Sequence, residues 1–153
     1  MNESQRIADQ IRRAVHGDAW YGDGIAGLLK DVSVAQATGR PIPNTHTIWE
    51  IVLHITAWAD IIGARLRGVS EPVTPDQDWP AMPAEVGDPA WNQAVVTCLA
   101  AHDRLAAQTQ MLSESRLSEP ITGDPPEIYA QLHGIVQHSL YHAGQISILK
   151  KFR

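Results

Sequence analysis

The sequence predicts an all-α four-helix bundle, and three observations carry that prediction. Apolar residues recur at helical spacing through four long segments. Those segments are bounded by capping residues and by Pro/Gly-rich connections. No stretch carries a convincing strand alternation. The 153 residues suit one domain, 1–153. A chain of this length buries roughly 68–70% of its unfolded surface, so it needs no disulfide or structural metal merely to fold.

The first helix is expected over Glu3–His16, where Ile7, Ala8, Ile11, Ala14 and Val15 recur on one side. Gly17-Asp18 ends it, and residues 19–24 read as loop or broken helix. Within that loop, Trp20 and Tyr21 either line a pocket mouth or plug the end of the bundle. Ile25–Val32 can add a short helix before the break at residues 39–44. The second helix opens on the capping box Thr47-Ile48-Trp49-Glu50 and ends at Gly68. Its apolar positions are Ile48, Ile51, Val52, Ile55, Trp58, Ala59, Ile62 and Leu66. The connection from Val69 to Gly87 holds four prolines and cannot be a regular helix. The third helix is expected from Asp88 as cap, with Pro89 at its first position, to about Leu112. The fourth is expected to open on Asp124-Pro125-Pro126-Glu127 and to run to about Lys150. The first and second connections are long, so simple up-down-up-down topology is not assumed.

Composition narrows the function. Net charge is -5 and no Lys/Arg cluster exists, which argues against a broad nucleic-acid face. Lys150, Lys151 and Arg153 sit where cations favour a helix C-terminus. Cys98 is the only cysteine, set among Val95, Val96 and Leu99, and reads as a small buried core residue. The N-terminal residues lack an apolar leader, and no run approaches 18 apolar residues. The expectation is a soluble cytoplasmic protein with no membrane span.

Three histidines carry the chemistry. His138 and His142 are four apart, so they stack on one helix face. The intervening Ser139-Leu140-Tyr141 lacks the Glu of a metalloprotease helix. His54 shares its face with Ile51, Trp58 and Ile61, while His138 and His142 share theirs with Ile128, Ile135 and Leu149. Imidazoles on apolar stripes need partners, because a buried unpaired nitrogen is costly. One reading is a metal held between the two helices; the bland reading is core histidines hydrogen-bonded to their surroundings. Three imidazoles suit zinc, nickel, copper or iron better than magnesium or calcium. Three protein ligands leave room for substrate.

Trp49-Glu50-x-x-x-His54-x-x-x-Trp58 together with His138-x-x-Tyr141-His142-x-Gly144-Gln145-Ile146 resembles the DinB-like (YfiT-type) superfamily of bacterial four-helix metalloproteins. Residues 19–22 and 40–43 also fit that family's first connection. The resemblance implies a metal triad of His54, His138 and His142, with zinc or nickel the usual occupant. It also implies a transferase or isomerase that uses a low-molecular-weight thiol on small electrophiles. The other readings are a metal-dependent hydrolase, a non-catalytic metal- or ligand-binding stress-response protein, and a plain helical interaction module.

Further candidates stand beside the triad. Glu50 can contact the metal shell or act as a base, although its capping-box role already explains it. Gln145 can hydrogen-bond a metal-bound water or be satisfied between helices. Tyr141 can orient a neighbour or pack with its hydroxyl at the rim. Trp49, Trp58 and Trp91 read as core, and Trp79 as a cover for the core edge or an interface. His16, His46, His102 and His133 show no convergent face; His46 can reach substrate but reads rather as a solvated loop histidine, and His102-Asp103 reads as a surface pair rather than a catalytic dyad. The expected partner is a small molecule, with no nucleic acid and no membrane, and helix faces leave room for a homodimer.

Overall fold

The computed structural model describes residues 1–152 and contains, among them, seven α-helices and no strand. They are α1 Glu3–His16, α2 Ile25–Leu29, α3 Val34–Thr38, α4 Ile48–Leu66, α5 Pro75–Asp78, α6 Asp88–Gln110 and α7 Ile128–Leu149. A 3-10 turn, Glu114–Ser118, follows α6. None of these helices is long and apolar enough to cross a membrane.

The four long helices form the bundle. α4 packs on α6 and α7, and α1 packs on the same two. Thus α1 lies diagonally across from α4, and α6 across from α7. The long α1–α4 connection, with α2 and α3, spans the first diagonal. The core has two parts: one gathers Ile25, Ile48, Trp49, Trp91 and Ile146, and the other Ile7, Ile62, Leu105, Ile128 and Leu132.

The ends of α4 follow local chemistry. The Thr47 hydroxyl accepts from the Glu50 N–H at 3.1 Å, and the Glu50 carboxylate accepts from the Thr47 N–H at 2.7 Å. A cap of this kind stabilises a helix start by about 1 kcal/mol. Beyond the helix, Gly68 has φ 95°, the left-handed conformation that glycine adopts without Cβ strain.

Three expectations need correction. The proline-rich connection does contain a helical turn, α5, capped by Thr74 with Pro75 in its first turn, where a missing N–H costs nothing. The cap of α6 is Gly87, so Asp88 already lies inside the helix. The cap of α7 is Glu127, without a side-chain bond, so Pro125 and Pro126 precede the helix rather than open it. Residues just before a proline are pushed away from helical angles, which delays the start. α3, capped by Ser33, is a further short helix that periodicity did not reveal.

Candidate metal centre

Helix α4 places His54, and successive turns of α7 place His138 and His142, so the three rings meet in the seam between α4 and α7. His54 and His142 are buried at 5% and 4% exposure. The His54 and His138 Nε2 atoms lie 2.9 Å apart, and those of His142 and His138 lie 3.1 Å apart. One donor atom from each ring lies within 4.8 Å of the other two.

The outer nitrogens explain what the inner ones present. The His54 Nδ1–H donates to the Asp78 carbonyl at 2.6 Å. The His142 Nδ1–H donates to Gln145 Oε1 at 2.6 Å. In a neutral imidazole only one nitrogen carries a proton. Both Nε2 atoms therefore turn lone pairs toward His138, the arrangement that partners around metal-ligating histidines impose. Burial pushes His138 down to about 3, helped by the neighbouring His142 and His54. Burial likewise takes His142 to about 4, against the opposing bond to Gln145. Burial also lowers His54, and Asp78 only partly counters it. All three rings are thus neutral near neutral pH, the state in which imidazole ligates.

These residues fit a divalent ion. Two imidazole nitrogens each about 2.0–2.1 Å from one ion are at most about 4.2 Å apart. The 2.9 and 3.1 Å separations satisfy that bound, and the remaining pair lies within 4.8 Å. A donor set of nitrogen alone suits zinc, nickel, copper or iron better than magnesium or calcium. His138 is the outlier, because its buried Nδ1 has no hydrogen-bond partner.

The loop after α4 supplies a cover that sequence reasoning left undeveloped. Trp79 stacks on His54 at 3.8 Å between ring centroids and on His46 at 3.5 Å, so the indole is sandwiched. The Trp58 indole N–H donates to Asp78 Oδ1 at 2.7 Å, anchoring α5 on α4. Trp58 is thus a half-buried wall residue rather than core, unlike Trp49 and Trp91. Two cavities flank the triad, and His54 and His138 line both. One of about 530 Å³ lies toward His46, Trp79, Tyr141 and Gln145. The other, about 410 Å³, runs along the α4/α7 seam toward Arg65.

The remaining candidates fall as follows. Gln145 orients His142 directly. Glu50 spends its carboxylate on the Thr47 cap and on Arg40 Nη2, at 2.9 and 3.0 Å. Burial would raise its pKa, but these bonds outweigh that and lower it. Among the described residues no hydrogen bond joins Glu50 to the triad. Tyr141 is 64% exposed, with its ring edge-on to His142 at 5.0 Å. Trp20 is fully exposed, and with Tyr21 it edges a separate hollow beside Arg13 and Val136, so it neither lines the histidine pocket nor plugs the bundle. His102 is no surface residue. It is 1% exposed and donates to the Cys98 carbonyl at 2.8 Å, while Asp103 pairs with His16 on α1 at 2.7 Å.

No curated protein and no solved structure matches the chain. The family model described as the DinB superfamily matches residues 22–146, a span that holds all three histidines, Asp78, Trp79 and Gln145. The chain belongs to the DinB superfamily.

Proposed function

We propose that this protein is a metal-dependent enzyme in which His54, His138 and His142 hold one divalent ion, zinc or nickel. The favoured reaction is transfer to, or isomerisation of, a small electrophile with the help of a low-molecular-weight thiol. The observation that carries the reading is the pair of inward lone pairs, fixed by the Asp78 carbonyl and Gln145, that face the third imidazole. Such an ion, when bound, supplies Lewis acidity and draws the pKa of a thiol or water beside it toward neutrality.

The chain's own residues do the rest. Asp78 and Gln145 keep the protons on the outer nitrogens of His54 and His142. The His46–Trp79 stack shields one face of His54 from water. Ile42, Ile51 and Leu149 give the larger cavity an apolar wall that suits a small organic molecule. Among the described residues the cluster contains no fourth His, Cys, Asp or Glu. That favours an accessible centre over a closed carrier site.

The test is a panel of small electrophiles offered to zinc- or nickel-loaded protein, with and without added thiols. Turnover is expected to require the thiol and to fall at least about a hundredfold in His138→Ala. Turnover without any thiol would overturn the transferase reading and favour a hydrolase. Failure of the wild-type chain to retain stoichiometric metal would overturn both.

A further inference from the structure

We infer that the seam cavity beside the triad binds a small organic carboxylate, with Arg65 holding the anionic head while the far end reaches His54 and His138. This names a substrate class for the centre proposed above and rests on that reading for its chemistry, though not for the binding step.

The cavity is built by two helix stripes. Trp58, Ile62 and Arg65 follow His54 by four, eight and eleven residues, which keeps them on one face of α4. On α7, Gln131 and Ile135 precede His138 by seven and three, so the stripes run in opposite directions and face each other across about 410 Å³. One end is the histidine pair; the other is Arg65 with Gln131. The middle is apolar, and at Gly134 a side chain would meet open space.

Arg65 is the unusual residue. It is 8% exposed and is the one buried arginine among the described residues. Arg6, Arg13, Arg40, Arg104 and Arg116 each reach a carboxylate, but Arg65 joins no ion pair among the described residues. Its one hydrogen bond there runs from Nη1 to Gln131 Oε1 at 2.9 Å, and its buried Nε has no partner. Gln131 is itself committed, since its amide donates to the Thr122 and Pro125 carbonyls at 2.9 and 2.7 Å. Asp78 and Asp124 also line the cavity. Asp78 accepts from Trp58, and Asp124 forms no ion pair with Arg65 among the described residues.

A guanidinium keeps its proton and presents a planar fork that matches a carboxylate. A buried cation without a counter-charge is costly, so a carboxylate entering the cavity completes the site rather than adding to a satisfied one. The guanidinium carbon lies 5.8 Å from the Trp58 ring, which lies 6.0 Å from the His138 ring, so charge and imidazole are within about 12 Å. That span, with apolar walls between, fits a carboxylate on a short hydrocarbon spacer.

Calorimetry on metal-free protein tests the cavity without the centre, using hexanoate and its neutral analogue hexanamide. Hexanoate is expected to bind at least about tenfold more tightly and to shift the Trp58 indole N–H resonance. Arg65→Gln should abolish the preference. Gly134→Leu, which keeps Arg65 but fills the space, should weaken both ligands. Equal binding of acid and amide by the wild type, no binding of hexanoate at millimolar concentration, or a preference that survives in Arg65→Gln would each overturn the proposal. The wild-type comparison stands even if a variant misfolds. Metal retention by wild-type protein, measured separately, reads the centre alone, so the two ideas fail independently.

Discussion

The imidazole of His54 lies face to face with the indole of Trp79, with planes only 6° from parallel. His46 lies on the indole's other face, so the stack covers one face of His54, and the indole comes edge-on to His142 at 6.2 Å between centroids. Aromatic contacts are worth about 0.5–1.5 kcal/mol, up to roughly tenfold in a rate or equilibrium. Trp79→Ala should leave the bundle folded but let a chelator strip the metal several-fold faster. Stopped-flow chelation with a chromogenic ligand checks this, and an unchanged stripping rate would show that the stack is only decorative.

Gln145 holds the outer proton of His142 from one turn further along α7. Loss of such a partner typically weakens metal affinity by about 10–100-fold. Gln145→Leu should show that loss in competition titrations, whereas Gln145→Glu keeps the acceptor and should retain most of the affinity. Equal affinity in the Leu variant would mean that packing alone sets the ring. His138 offers a contrast: with no partner at its Nδ1, it owes its orientation to packing and to whatever its inner nitrogen meets.

How much of this was legible in the sequence depends on range. The Thr47–Glu50 cap and the His138/His142 pair are local patterns, three and four residues apart, so helix geometry alone reveals them. His54 was legible because it interrupts an apolar stripe. Asp78 and Trp79 were not, for different reasons. Asp78 acts on His54 through a backbone carbonyl, which has no residue signature. Trp79 reaches the site only because α5 folds a proline-rich connection back onto α4. His102 could have been read better. It follows Cys98 by four residues and precedes Leu105 by three, so it shares their apolar face, from which Asp103 is turned by about 100°. Arg65 gave no signal, since a cation near a helix C-terminus is ordinary until its burial is known.

Cys98 lies one turn before His102 in the core, with 0% exposure. Burial pushes its thiol up to about 11. The thiolate is the reactive form, so this residue cannot supply the nucleophile, and the thiol of the proposed reaction must come from solution. A maleimide or disulfide reagent at pH 8 should leave the folded chain unlabelled while labelling it fully in denaturant. Labelling of the folded chain at the rate of a free cysteine would contradict the packing of α6.

Acid should destabilise the metal-free chain well before its carboxylates titrate. Burial holds His54, His102, His138 and His142 below the usual histidine range, with His138 at about 3 and His142 at about 4. In the unfolded chain the same rings titrate near about 6.5. Between those values the unfolded state binds more protons, so stability rises with pH across the window. The contribution of these neutral rings is therefore fully present above about pH 6.5 and drains away as pH falls toward the folded-state values. Thermal melts of metal-free protein between pH 7 and pH 5 should show a steady fall in Tm. His138→Leu removes one unfolded-state proton from the balance and should flatten that slope. A wild-type Tm that is flat across the window, or a slope untouched in His138→Leu, would mean that these rings take up their protons without unfolding and that the seam is far wetter than its geometry implies.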